Sequence, residues 1–172
     1  MAGSLVQVAT TTISGATASV SLTGIDDDSV YMVAGFGIGV ETNTREINLR
    51  ITKSGTVQTD SEYDHAFYGL ITAGGDHTEV YNTNQSFVRW DSDLGTGTSE
   101  LSNFIIYLYN FNSSSQYSYG VVQETDVNHV QTALGKVGSF SHTVASASDG
   151  INIQGESSSN LLSGTMTLYK VV

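Results

Sequence analysis

Hydrophobic and polar residues alternate along most of this chain with a period of two, and the pattern is densest between Phe104 and Val122. Phe104, Ile106 and Leu108 fall on one face of an extended strand, and Ile105, Tyr107, Tyr109 and Phe111 on the other, so both faces are apolar. Asn112, Ser113, Ser114 and Ser115 then interrupt the run, because short hydroxyl and amide side chains exchange ladder hydrogen bonds for local ones. Alternation resumes at Tyr117, Tyr119 and Val121. The segment predicts a hairpin with a loop of about three to five residues, setting Tyr109 opposite Tyr119 and Tyr107 opposite Val121. One face would pack on a sandwich core and the other on a further subunit or sheet. Tyr107, Tyr109, Phe111, Tyr117 and Tyr119 are therefore the expected oligomer or partner interface.

Similar short runs recur from end to end, and no segment shows a helical period. Ser4 to Ile13 is a first strand. Ala16 to Thr23 is a second, with Ala18, Val20 and Leu22 inward. Ser29 to Val40 follows, its even positions from Val30 to Val40 forming one apolar face and its odd positions carrying Gly35, Gly37 and Gly39. Arg45 to Lys53 sets Ile47, Leu49 and Ile51 against polar neighbours. Tyr63 to Thr72 and Ser86 to Asp91 are further strands, separated by an exposed polar loop from Ala73 to Gln85. Val137 to Val144, Gly150 to Gln154 and Leu161 to Val171 close the chain. About ten strands at these spacings predict an all-β fold, a two-sheet antiparallel sandwich of jelly-roll type, in one domain spanning residues 1–172.

The formal charge of −11 and the six scattered basic residues oppose a phosphate backbone, so no nucleic-acid partner is expected. Only 13% of residues are charged, against roughly a quarter in an average soluble domain. Ser, Thr, Asn and Gln must cover most of the surface instead. With no cysteine, packing, hydrogen bonds or oligomerisation must supply the stability that disulfides or cysteine-bound zinc give elsewhere. There is no proline to guard edge strands, which points to a second chain as their cover. The start at Met1 opens directly into strand-like alternation, so neither a signal peptide nor a membrane span is expected.

Candidate chemistry is sparse. The glycines of Gly35-Phe36-Gly37-Ile38-Gly39 lie in a strand pattern and not on a turn that opens a helix, so they read as bend or contact positions. Asp26-Asp27-Asp28 and the pair Asp91 and Asp93 with Glu100 could offer oxygens to calcium, but an EF-hand counted from Asp91 would need Gly and Glu where Thr96 and Ser102 stand. Asp60, Glu62 and Asp64 read as the polar face of a strand start. His65, His77, His129 and His142 show no metal spacing, and no GxSxG nucleophile elbow occurs. No enzyme activity, metal or cofactor is expected. Trp90 reads as a core or interface anchor, with sugar stacking by Trp90 or the Tyr63/Tyr68 region as the alternative.

Five segments resemble, in this order along the chain, small virion structural proteins of tailed bacteriophages, particularly those of marine bacteria and cyanobacteria. They are residues 18–25 (ASVSLTGI), 30–33 (VYMV), 49–55 (LRITKSG), 104–111 (FIIYLYNF) and 162–169 (LSGTMTLY). The resemblance implies a β-sandwich assembling as a homotrimer on the outer capsid surface of a virion, made in the host cytoplasm. It further implies a decoration or cement protein bound to the major capsid protein. The head of a tail or capsid fibre touching a host receptor is the second placement. No coiled coil, collagen-like repeat or β-helical shaft is present in the sequence to extend such a fibre, which favours cement.

Overall fold

The computed structural model describes residues 3–74 and 77–172. Among them thirteen strands form: β1 (Leu5–Ile13), β2 (Ser19–Thr23), β3 (Tyr31–Val40), β4 (Arg45–Lys53), β5 (Thr56–Val57), β6 (Tyr63–Ile71), β7 (His77–Gln85), β8 (Val88–Leu94), β9 (Ser102–Tyr109), β10 (Ser118–Val127), β11 (Ala133–His142), β12 (Gly150–Gly155) and β13 (Leu161–Val171). The larger sheet runs β1-β13-β3-β9-β10-β11-β6-β7, and the smaller runs β2-β12-β4 with β5 and β8 both paired to β4. Every pair is antiparallel.

Eight of these strands trace a jelly roll. The order β1-β13-β3-β9 in one sheet is matched by β2-β12-β4-β8 in the other, the arrangement produced when long antiparallel arms wrap together around one core. The remaining five strands are two insertions. The β4–β8 connection carries β5, β6 and β7, and the β9–β12 connection carries β10 and β11. Four of these strands continue the larger sheet past β9, which would otherwise be its edge. The expected sandwich is present, with more strands than the roughly ten read from the sequence.

The hairpin register is as the sequence predicts, Tyr109 opposite Tyr119 and Tyr107 opposite Val121, although the connection occupies residues 110–117 and is longer than expected. Phe104, Ile106 and Leu108 point into the core. Phe111 does so too, and is 1% exposed. The strand ends at Tyr109 and Asn110 adopts a left-handed backbone (φ 58°), so the alternation that would have placed Phe111 on the outer face no longer applies. The structure thus removes Phe111 from the expected interface.

Two other readings are corrected. The single apolar face of β3 is split: Tyr31 and Val33 are buried with Met32, Ala34 and Phe36 outward, whereas Ile38 and Val40 are buried. Gly37, at φ 66°, sits in a bulge where pairing with β9 slips between Gly35 and Ile38, and the extra residue inverts the side-chain parity. The Asn103 side chain accepts the Gly37 N–H at 2.9 Å, and Ser163 Oγ donates to the Gly37 carbonyl at 2.9 Å, which holds the bulge. The supposed loop from Ala73 to Gln85 is largely β7, a polar edge strand. Ala18 is exposed just ahead of β2, while Val20 and Leu22 are inward as expected.

The core joins both sheets through Ile47, Leu49 and Ile51 of β4, Ile151 and Ile153 of β12, and the inward ladder of β9. Trp90 lies fully inside, edge-on to Phe104 at 5.6 Å. The buried Tyr31 and Tyr63 keep their hydroxyls bonded: Tyr31 donates to Asp26 at 2.8 Å, and Tyr63 donates to the Gln58 carbonyl at 3.0 Å. Burial pushes the Tyr63 phenol up to about 12.

Beneath the added strands the inner face is more polar. His65 and His142 are both buried there. Burial, reinforced by the charge of Arg89, pulls His65 down to about 4. Burial and Lys53 lower His142, whose Nε2 lies 3.1 Å from the Glu62 carboxylate, an opposing influence.

Two predictions follow from this packing. Ile106→Ala empties a fully buried site in β9 and should lower unfolding free energy by about 2–5 kcal/mol. Gln123→Ala, on the exposed outer side of β10, should change it by less than about 0.5 kcal/mol. Equal urea-denaturation shifts for the two would contradict the assigned parity. The second concerns pH. Both histidines resist protonation when folded, so stability is complete above about pH 6.5 and falls as pH drops toward 4, where the unfolded chain binds protons that the folded chain refuses. In urea titrations across that window, His65→Gln should show a shallower fall than the parent; an identical slope would assign the effect to other groups.

Candidate functional site, an open aromatic sheet face

Since the smaller sheet packs on only one side of the larger, the other side of the larger sheet is open in the single chain. Antiparallel register lines its outward residues into transverse rows. One row crosses seven strands as Tyr169, Met32, Tyr107, Val121, Ser139, Ala66 and Tyr81. The row on one side of it contains Ala34, Ile105, Gln123, Val137 and Tyr68, and the row on the other begins Tyr109, Tyr119, Ser141 and Asp64. Phe36, Leu70 and Tyr81 are strongly exposed, and Ile105, Tyr109, Tyr119, Val137 and Tyr68 partly so. A contiguous apolar surface of this kind marks a contact site.

Of the residues expected at an interface, Tyr107, Tyr109 and Tyr119 lie together on this face, and Tyr117 is exposed in the connection leading to β10. Phe111 does not belong to it. Sequence reading missed Phe36, concealed by the parity change at Gly37, and Tyr81, concealed in the segment read as a loop. The signal for Tyr81 was the alternation of Thr78, Val80 and Asn82 with Glu79, Tyr81 and Thr83, too polar to stand out from a loop.

Within the face, the strip between β10 and β7 is hollow. Ala66, Ser139 and Ser141 are short and form a floor, while Tyr119 with Val121 rises on one side and Tyr81 with Thr83 on the other. The resulting trough has a volume of about 770 Å³, within the roughly 300–1,000 Å³ range of small-ligand sites. Asp64 stands at one end, one of its oxygens accepting the Asn84 N–H at 2.8 Å.

Several of the other candidate groups have structural partners. Lys170 binds both Asp26 and Asp27 and thereby holds Asp27 well below the usual carboxylate range, with the Ser29 N–H contributing. Asp93 contacts His129 at 2.9 Å, and Glu100 accepts the Gly97 N–H at 2.7 Å. The side chain of Asp91 lies outside the description. Glu62 meets His142, and His77 stacks on Tyr68 with ring centroids 5.5 Å apart. Trp90 and Tyr63 are both fully buried and cannot stack on a sugar, whereas Tyr68 stays accessible. Among the described residues, no three His, Cys, Asp or Glu side chains converge as a metal site. No helix there is long and apolar enough to cross a membrane. In comparisons with known proteins, no family model and no curated sequence matches this chain.

Proposed function

We propose that the chain is a bacteriophage virion structural protein, a decoration or cement protein that binds the major capsid protein on the outer shell as a homotrimer. The observation that carries this reading is the open aromatic face of the larger sheet. A jelly roll with one uncovered apolar face gains stability by covering that face with protein, and the burial of Tyr107, Tyr109 and Ile105 between copies would provide it. The trimeric number and the capsid partner come from the resemblance of the strand segments to tailed-phage proteins. The mechanism needs no catalytic step or cofactor. A protein bridging neighbouring capsid subunits adds its binding free energy to the cost of separating them. The head of a tail or capsid fibre is the second reading, and the trough between Tyr119 and Tyr81 is the observation in its favour.

The expected outcome for Tyr109→Asp is loss of assembly. A carboxylate buried without a partner costs several kcal/mol, and the substitution acts in every copy. Sedimentation should show a trimer for the parent and a monomer for the variant; a parent that stays monomeric at micromolar concentration would reject the oligomer. Particles carrying the protein should also survive heating or osmotic shock better than particles lacking it. Equal survival combined with weaker adsorption to cells would transfer the assignment to the fibre reading.

A further inference from the structure

We propose that the trough over β10, β11, β6 and β7 is a binding site for a neutral oligosaccharide, with sugar rings laid on Tyr119 and Tyr81 and their hydroxyls bonded along the floor between. The inference deepens the host-surface reading, but the binding itself depends on neither capsid attachment nor trimer formation.

Three observations carry it. The first is the pairing of aromatic walls with a hydroxyl floor. Tyr81 is 75% exposed and Tyr119 43%, so each ring offers an apolar surface to the C–H side of a pyranose, while Ser139 and Ser141 present hydroxyls that both donate and accept. A lipid or an apolar peptide would leave those hydroxyls without partners, a cost that polyhydroxylated ligands avoid.

The second is charge. The lining contains the Asp64 carboxylate and no lysine or arginine. Only the backbone of His65 borders the floor, since its ring turns to the inner face of the sheet beside Asn82 and burial keeps it neutral near pH 7. On a chain of net charge −11, a trough with a carboxylate and no cation repels phosphate, sulfate and uronate groups. One Asp64 oxygen is engaged by the Asn84 N–H, which orients the carboxylate to accept sugar hydroxyls with the other.

The third is spacing. β10 and β7 are separated by three strand intervals, and Tyr119 and Tyr81 are offset by two residues along the strands, which puts their backbones roughly 16 Å apart. That distance is too great for one hexose to be sandwiched between the rings. Each ring is a separate platform, and the ligand that satisfies both is a chain of sugar units running obliquely across the strands.

The test uses the intact protein on an array of neutral and acidic oligosaccharides, followed by calorimetric titration of the strongest neutral glycan and by protein-observed NMR with millimolar neutral methyl glycosides. Neutral glycans should bind. Tyr81→Ala and Tyr119→Ala should each weaken affinity at least tenfold, while Leu5→Ala, exposed on β1 at the opposite edge of the larger sheet, should leave it unchanged. Sedimentation of Tyr81→Ala should match the parent. Absence of neutral glycan binding in all three assays, preference for acidic glycans, or full affinity in both trough variants would overturn the proposal. So would a change of oligomeric state in Tyr81→Ala, which would make the trough a subunit contact.

Discussion

Strand β9 sets the register on which the rest of the molecule depends. It is the last jelly-roll strand of the larger sheet, and it pairs with β3 on one side and with the inserted β10 on the other. A strand has two faces and a period of two, so placing Phe104, Ile106 and Leu108 inward forces Ile105, Tyr107 and Tyr109 outward. A slip of one residue would turn Ile105, Tyr107 and Tyr109 into the core and expose three core side chains. The close contact of Phe104 with Gly35 reinforces this choice, because any Cβ at Gly35 would meet the ring at 2.3 Å.

The two insertions create the open aromatic surface of the larger sheet. Extending the larger sheet by β10, β11, β6 and β7 covers the β9 edge but makes that sheet wider than its partner. The inner side of the added strands consequently mixes Phe67 and Phe140 with His65, His142 and Lys136, in contrast to the aliphatic packing under β3 and β9. Among the described residues, no layer covers their outer side. An eight-stranded surface bearing tyrosines is the direct consequence of the mismatch in sheet width, and the trough arises where small residues of β11 and β6 lie between tyrosines of β10 and β7.

Charge plays a local part. The acidic turn at Asp26 and Asp27 is tied to the last strand by Lys170, closing the end of the sandwich where β3 begins and β13 ends. This uses one of only six basic residues for a structural contact. Little positive charge remains elsewhere on the chain.

Alternation by itself determined the class of fold, the positions of most jelly-roll strands and the register of Tyr109 with Tyr119, because a half-buried strand must repeat every two residues whatever surrounds it. The inward roles of Val20, Leu22, Ile47, Leu49 and Ile51 were legible for the same reason. Only the tertiary structure decided features that break or lack that period. A single bulge at Gly37 moved Phe36 from the apparent core face to the surface, and the left-handed turn at Asn110 took Phe111 in the opposite direction. β7 is too polar to be distinguished from a loop until β6 pairs with it. The trough is least legible of all, since Tyr119, Ser139, Ala66 and Tyr81 come from four strands, and only long-range hydrogen-bond register brings them side by side.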